Sequence, residues 1–564
     1  MFGILLMLLG AATVMQAQQG RGTIVGTVTD ASGAAVPGAN IIITNIETNQ
    51  TFMTTSGEDG NFTTPPLPIG NYTVTSELKG FKRALRSGIT LQVDQKAQID
   101  VLMETGEVSE QVEVISQVQL VDTNSATVGK VIENRRVVDL PLNGRNALAL
   151  TLLTPSVKSN AGPTNSGFAD RGTSLSSISI NGGPSAQNGN VLDGGNNIQT
   201  YIGEVSINPA VDAVEEFKVQ SGTQSAEFGF TAGGVINLVT KAGTNKFHGT
   251  LYEFVRNDAL DARNAFATAK QALRYNQYGG SVGGPVYLPR FGEGGPAVYN
   301  GTSRSFFFFN YEEFKFRRSV PQIGTVPTLL QRQGNFSDLR NASGALIPIF
   351  DPATTRANPN GTGVIRTRFP GNIIPRERFD PVALAIQEYY PLPNRPPDNA
   401  ITNINNYEAL SSQIRSMRQY TARIDHRFTE NNNLTARFSS YLHKSDQGGG
   451  FYTNPVVGTR DDALQTRNLI LTDVHTFSPT LFNELRFGVN RGTFPFVARS
   501  AGGNFPQQLG FPAIVPPDTF PQISGNGLPG FLTGTIGFRG STSLQLFDII
   551  TIVRGNHSTK FGFD

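Results

Sequence analysis

The stretch "QYTARIDHRFTENNNLTARFSSYLHK", Gln419 to Lys444, constrains the fold more than any other. Successive side chains of an extended chain point to opposite faces. Tyr420, Ala422, Ile424, His426 and Phe428 therefore share one face, and Thr421, Arg423, Asp425, Arg427 and Thr429 share the other. The polar run from Glu430 to Asn433 turns the chain. Leu434, Ala436, Phe438, Ser440 and Leu442 then alternate against Thr435, Arg437, Ser439, Tyr441 and His443. "TRNLILTDVHTFSPTLFNELRFGVNRG" repeats the pattern about a turn at Ser478-Pro479. Its second strand sets Leu481, Asn483, Leu485, Phe487 and Val489 against Phe482, Glu484, Arg486, Gly488 and Asn490. Two folds accommodate this. One is a soluble sandwich with its polar face in bulk water. The other is a transmembrane barrel with lipid outside and a wet lumen. Charges hold register over whole strands, and tight turns alternate with long irregular stretches at residues 319–410 and 492–530. Both features favour the barrel, with spanning strands of about 10 residues and the irregular stretches as extracellular loops.

The first residues, "MFGILLMLLGAATVMQAQQG", hold an apolar run from Phe2 to Leu9 and a small-residue cleavage site before Gln18. Residues 1–17 read as a signal peptide, although no Lys or Arg precedes the apolar run. No other stretch has about 18 consecutive apolar residues, so no spanning helix is expected. An exported chain of this kind is secreted, periplasmic or held in an outer membrane.

Composition narrows the chemistry. The formal net charge of +2 lacks the basic field that nucleic acid requires. The chain has no cysteine, which removes disulfides, thiolate metal sites and cysteine nucleophiles. His248, His426, His443, His475 and His557 stand at no metal-ligating spacing. Neither a Gly-x-Ser-x-Gly elbow nor a phosphate loop ending in Gly-Lys is present. The carboxylate pairs Glu215-Glu216 and Glu312-Glu313 are neighbours in sequence, so on a strand they face opposite ways. No enzyme activity, cofactor or metal is expected. The run Phe306 to Phe309 is read as wall in contact with lipid.

Residues 22–104 contain short β-rich runs, among them "TIVGTVTD", "ANIIITNIE" and "GNYTVTSELKGF", separated by Ser32-Gly33, Asp59-Gly60-Asn61 and Gly70-Asn71 turn signals. That spacing reads as a β-sandwich. In "NYTVTSEL", Tyr72, Val74, Ser76 and Leu78 form one face. A Val-rich acidic linker, residues 105–132, follows. Residues 133–240 are mixed α+β with polar loops. A short helix is read within Val138 to Leu153, and Pro209 to Glu216 is read as the opening of another.

Two sets of motifs resemble known families. "GTVTDASGAAVPGANIIITN" with "GNYTVTSELKGFK" resembles the carboxypeptidase-regulatory-like domain, a transthyretin-like β-sandwich. "PAVDAVEEFKVQSGTQSAEFGFTAGGVINLVTKAGTNKFHGTLYEFVRN" resembles the plug-to-barrel junction of Oar-like TonB-dependent outer-membrane receptors, with "LPLNGRN", "RGTSLSSISINGG" and "NVLDGGNN" as upstream plug motifs. The resemblance implies a mainly β chain. Its order is a transthyretin-like β-sandwich, an α+β plug domain at 133–240 and a partial transmembrane antiparallel β-barrel at 246–564. At about 10 residues per strand, the last segment supplies roughly 10–12 strands, whereas plugged transporters use about 22. The chain is therefore expected to be a fragment lacking part of the wall, and not by itself a working transporter.

The resemblance also implies partners and sites. A TonB-like energy-coupling protein would pair with a short extended segment ahead of the plug as an added strand. Glu110, Gln111, Val112, Glu113 and Val114 are the candidates, and an ordinary linker or plug strand is the competing reading. Arg171, Gly172, Asp193 and Gly194 match plug motifs, either at apex loops and the latch to the barrel or simply as turn and packing residues. Gly233, Gly234, Gly243 and Asn245 mark the plug–barrel junction, with Phe247, Tyr252 and Phe254 in an aromatic girdle on the first wall strand. Outer-membrane lipid and an unidentified extracellular ligand complete the partners, and the direction of transport is open. A non-transporting surface or adhesion protein is the alternative.

Overall fold

The computed structural model describes residues 20–107, 111–115, 127–140, 142–159, 178–200, 203–223, 231–263, 265, 270–289, 297–447, 459–525, 528–531, 535–555 and 557–564. The expected signal segment 1–17, Glu110, Arg171 and Gly172 lie outside them. Among the described residues the chain builds a sandwich, an inner mixed sheet and a large antiparallel wall.

The sandwich pairs two sheets. One runs, in spatial order, Thr51–Thr55, Asn40–Asn45, Gly70–Glu77, Arg83–Leu91 and Gln111–Ile115. The other centres on Thr23–Asp30, flanked by Asn61–Thr63, Lys96–Gln98 and Val101–Met103. Alternation dictates the core: Ile41, Ile43, Tyr72 and Val74 are fully buried between the sheets with Ile24, Val28 and Ile89. Each such side chain contributes about 1.5–3 kcal/mol relative to exposure. Ser76, on the same face, is satisfied by the Met103 sulfur at 3.2 Å. Gln111–Ile115 does not run free between units. It pairs in parallel with Arg83–Leu91 and forms the edge of the sandwich sheet.

The inner sheet takes the order Gly129–Glu133, Val214–Gln220, Val235–Thr240, Gly189–Leu192, Gly195–Asn196. The helix read at Pro209 to Glu216 is corrected: one 3-10 turn, Val211–Ala213, leads directly into the strand Val214–Gln220. That strand is central, and Val214, Phe217 and Val219 are buried. Tertiary burial outweighs the proline start signal. Upstream, the short helix expected between Val138 and Leu153 is realised as a 3-10 helix, Ala147–Leu153.

The wall has nine antiparallel strands among the described residues, from His248–Asn257 to His557–Phe563. They are fewer and longer than expected. Ser305–Gly324 spans 20 residues and Tyr407–Thr429 spans 23, paired without a break to Gly324↔Tyr407. At about 3.4 Å per residue such strands outrun a hydrocarbon core of about 30 Å. Hydrogen bonding continues past the membrane because alternation does, and the loops begin later than their composition suggests. The described parts of 325–406 and 499–536 fold together beyond that end over Tyr390, Leu509, Phe520 and Phe531.

Burial in the wall is inverted relative to a soluble protein. Leu251 is 93 % exposed, Leu544 71 % and Ile424 54 %, whereas Arg437 is 0 % and Arg486 2 % exposed. Apolar side chains face out and charged ones face in, the pattern of a lipid-facing wall. Two expectations are corrected by the same two-residue period. Phe306 and Phe308 point inward, 1 % exposed, with Phe308 packed on Ala210 and Ala213, and only the alternate pair looks outward. Phe247 faces out beside Tyr287 and Phe307, but Tyr252 and Phe254, of opposite parity, face in.

The sandwich docks on the inner sheet through its Gln92–Gln95 turn. Val93 N–H donates to the Glu216 carboxylate, Lys218 Nζ donates to the Asp94 carbonyl at 3.0 Å, and Asn237 Nδ2 donates to Asp94 Oδ2 at 2.8 Å. Burial pushes the Glu216 carboxyl up to about 8 against the pull of the Val93 N–H, helped by Glu215, Glu133 and Asp94. The docked state therefore binds more protons than the separated one between the ordinary carboxylate range and about pH 8. Docking is expected to weaken as pH rises through that window. Hydrogen exchange at residues 216–220, followed against pH, checks it. Glu216→Gln is expected to flatten the dependence.

Candidate functional site: the seam between wall and inner sheet

The seam is built on the hairpin after Gly189–Leu192. Asp193 and Gly194 hold φ of +49° and +81°, the two-residue turn with positive φ at both positions. The turn aims the Asp193 carboxylate at its own sheet and at the wall. Oδ1 accepts from Thr240 N and Oδ2 from Thr240 Oγ1, both at 2.8 Å. From the wall, Arg437 Nε lies 2.9 Å from Oδ2 and Arg423 Nη1 lies 3.7 Å from Oδ1.

Three wall arginines bond the inner sheet's backbone as well, two at the hairpin and one at the end of Val235–Thr240. Arg437 Nη2 donates to Leu192 O at 3.1 Å, Arg486 Nη1 to Gly194 O at 2.8 Å and Arg423 Nη1 to Thr240 O at 2.9 Å. The positive φ at Gly194 disfavours any side chain, and one placed there would meet the Arg486 guanidinium at 2.5 Å and have to displace it. Asp425 holds Arg423 in a fork at 2.9 and 3.0 Å, and Glu484 pairs with Arg486. Three buried cations thus face three carboxylates, Asp193, Asp425 and Glu484. A buried pair is tolerable only when both partners and their remaining hydrogen bonds are present. Farther along, Asn490 Nδ2 donates to Ile198 O at 2.9 Å and to Ser206 Oγ at 2.8 Å, and Gln545 Oε1 accepts from Asn196 N at 3.0 Å. The seam is polar at the hairpin and apolar at its flanks, where Ile207 clusters with Tyr441, Leu464 and Phe494 and Ala210 and Ala213 pack on Phe308.

A second contact uses Asn143-Gly144-Arg145-Asn146, from the "LPLNGRN" motif. Arg145 pairs with Asp212, and its guanidinium lies 4.1 Å from the Phe254 ring and 4.8 Å from the Tyr252 ring, on the first wall strand.

The other expected residues fall as follows. Gly233 and Gly234 allow close approach, but to the inner unit's own atoms: Asn188 Oδ1 at 2.2 Å, and Gln220 O and Ile180 Cγ2 at 2.5 Å, from the position a Cβ would take. Gly243 sits where the chain crosses to the wall; a Cβ there would meet Phe307 O at 2.3 Å and Gly284 O at 2.8 Å. Asn245 N donates to Glu47 O at 2.9 Å, and its Oδ1 accepts from Ser303 N at 2.7 Å. Gln111, Val112, Glu113 and Val114 lie on the sandwich's edge strand, where Glu113 Oε1 accepts from Ser87 Oγ at 3.0 Å. The three arginines were readable as inward-facing from alternation alone. Their convergence on the Asp193-Gly194 turn was not. No group of His, Asp or Glu suited to a metal occurs among the described residues.

Residues 239–564 match the family model described as an outer membrane beta barrel domain, and residues 23–104 that of a carboxypeptidase regulatory-like domain. A curated relative, the TonB-dependent transporter Oar of Myxococcus xanthus, is 27% identical over 294 residues, covering 50% of this chain and 26% of Oar. The match therefore spans about a quarter of that relative's length. Among solved structures, the outer membrane transporter YddB from Escherichia coli aligns with TM-score 0.42 and 11% identity over 77% of this chain and 47% of that one. The siderophore receptor PirA from Acinetobacter baumannii aligns with TM-score 0.40 and 12% identity over 76% and 46%.

Proposed function

Because this chain belongs to the outer-membrane β-barrel domain family and is a homologue of the Oar transporter, we propose that it works as a TonB-dependent receptor moving a ligand across the outer membrane. The mechanism runs through the inner unit, residues 129–240, acting as a plug. Ligand bound at the loop end shifts the plug, and energy from the inner-membrane proton-motive force, delivered by a TonB-like protein, releases it. The observation that carries the reading is the buried polar seam in which Arg423 and Arg437 face Asp193 and Arg486 donates to the Gly194 carbonyl. These polar contacts position a plug firmly yet exchange for water when pulled apart, and among the described residues only small apolar clusters, Ile207 with Phe494 and Ala210 with Phe308, must be separated with them.

The coupling contact is assigned to residues 110–114. Gln111–Ile115 pairs with Arg83–Leu91 on one side, and as an edge strand its other side offers backbone for an added strand. The whole protein in detergent, titrated with the periplasmic domain of a TonB-like protein, tests this. Deleting 110–114 is expected to lower affinity tenfold or more; unchanged affinity would clear the segment of this role. The folded cap over Tyr390 and Phe520 favours a second reading, a surface protein that presents its loops and does not transport. Binding of the TonB-like domain separates the two.

A further inference from the structure

The sandwich touches both parts that the proposed mechanism must separate. On the inner sheet it reaches Glu216, Lys218 and Asn237 through Val93 and Asp94, and Glu133 through Gln92 Nε2 at 3.1 Å. Val93 is fully buried without belonging to the sandwich core. On the wall, Arg427 Nη2 donates to Thr51 O at 2.6 Å with its guanidinium 5.5 Å from the Phe52 ring, and Arg21 Nη2 donates to Thr435 Oγ1 at 3.1 Å. At the crossing between inner unit and wall, Glu47 O accepts from Asn245 N at 2.9 Å. These wall contacts flank the tight turn at Glu430-Asn431, the end opposite the folded loops.

We infer that the sandwich is a releasable clamp that pins the inner unit to the wall at the short-turn mouth, so that the unit moves only after the sandwich lets go. The inference rests on the plug reading and adds to it an element whose position controls release. Two observations and one general expectation favour release over permanent attachment. The named contacts are almost all hydrogen bonds. The three parts also border a cavity of about 370 Å³ whose mixed lining includes Glu47, Glu215, Lys241, Asp425 and His426, so they meet at discrete points. Polar interfaces between domains leave relative motion as the ordinary expectation. Residues 116–128 join the clamp's edge strand to the inner sheet, so a pull on that connection loads both at once.

The test uses the absence of native cysteine. Glu47→Cys with Asn245→Cys places two cysteines at residues joined by a backbone hydrogen bond, and disulfide formation is verified by thiol titration before recording. The whole protein is inserted in planar bilayers, and potassium chloride conductance is recorded as urea rises and the inner unit unfolds. Oxidised, the pair is expected to open at a urea concentration at least about 1 M higher than when reduced. Asp94→Ala, which breaks the docking turn without touching the wall, is expected to open earlier than the native chain. Equal opening points for oxidised, reduced and Asp94→Ala proteins would overturn the clamp and leave the plug standing. Failure of urea to open any of them would overturn the plug reading and the clamp with it.

Discussion

Asp193→Asn is expected to cost about 3–5 kcal/mol in the docking of the inner unit, the range for removing one partner of a buried ion pair. Shape is nearly preserved, so packing is not the cause. The Asn oxygen can still accept from Thr240 N and the Thr240 hydroxyl can turn to accept from the new amide, but Arg437, fully buried and 2.9 Å from the lost charge, keeps no anion at that distance. Arg423 retains Asp425, so the loss concentrates on Arg437. Urea midpoints for the inner unit, read by hydrogen exchange across residues 189–196 and 235–240, measure the effect. A shift no larger than that of an exposed pair, about 0–1 kcal/mol, would show the seam to be solvated and the charge balance incidental. Asp351→Asn in the loops, which removes the exposed pair with Arg378 at 2.7 Å, is the control.

Gly243→Ala is the second large effect, for a steric reason. The added methyl would lie 2.3 Å from Phe307 O and 2.8 Å from Gly284 O, both backbone atoms of wall strands. Neither can retreat without breaking the ladder between Leu273–Pro285 and Ser305–Gly324. Overpacking of this kind costs about 3 kcal/mol, and here it falls at the point where inner unit and wall join. The yield of folded protein and its urea midpoint in detergent check the expectation. Gly57→Ala, whose methyl would find only Asn61 O at 3.6 Å, should leave both unchanged.

Much of this was legible in the residues, and the reasons differ from place to place. The two-residue period fixed which way Arg423, Arg437 and Arg486 point, because a strand allows only two faces. Asp193-Gly194 could be read as a turn, because Gly after Asp marks positive φ. That these four residues meet could not be read. Their pairing depends on how the sheets nest, and sequence separations of more than 200 residues carry no local code. Tyr252 and Phe254 were assigned to an outer girdle although their parity opposes that of Phe247, so the period held the correct answer and aromatic composition obscured it. At Pro209 a start signal for a helix lost to the burial of Val214, Phe217 and Val219 in a central strand. For residues 111–115, alternation showed a strand, but nothing local named the sheet that would take it.

The inside-out wall is the claim on which all else stands, and one scan examines it. Spin labels are placed singly at cysteines introduced from Thr542 to Thr551, along the strand Gly537–Arg554, in the protein reconstituted in bilayers. Collision with oxygen, which concentrates in lipid, is compared with collision with a water-soluble nickel chelate. Oxygen access is expected to rise and fall with a period of two residues, high at Leu544, Leu546 and Ile550 and low at Phe547 and Ile549, following their exposure and burial. Uniform access to the nickel chelate along the strand, or oxygen access highest at Phe547 and Ile549, would contradict a wall with lipid outside and the inner unit within.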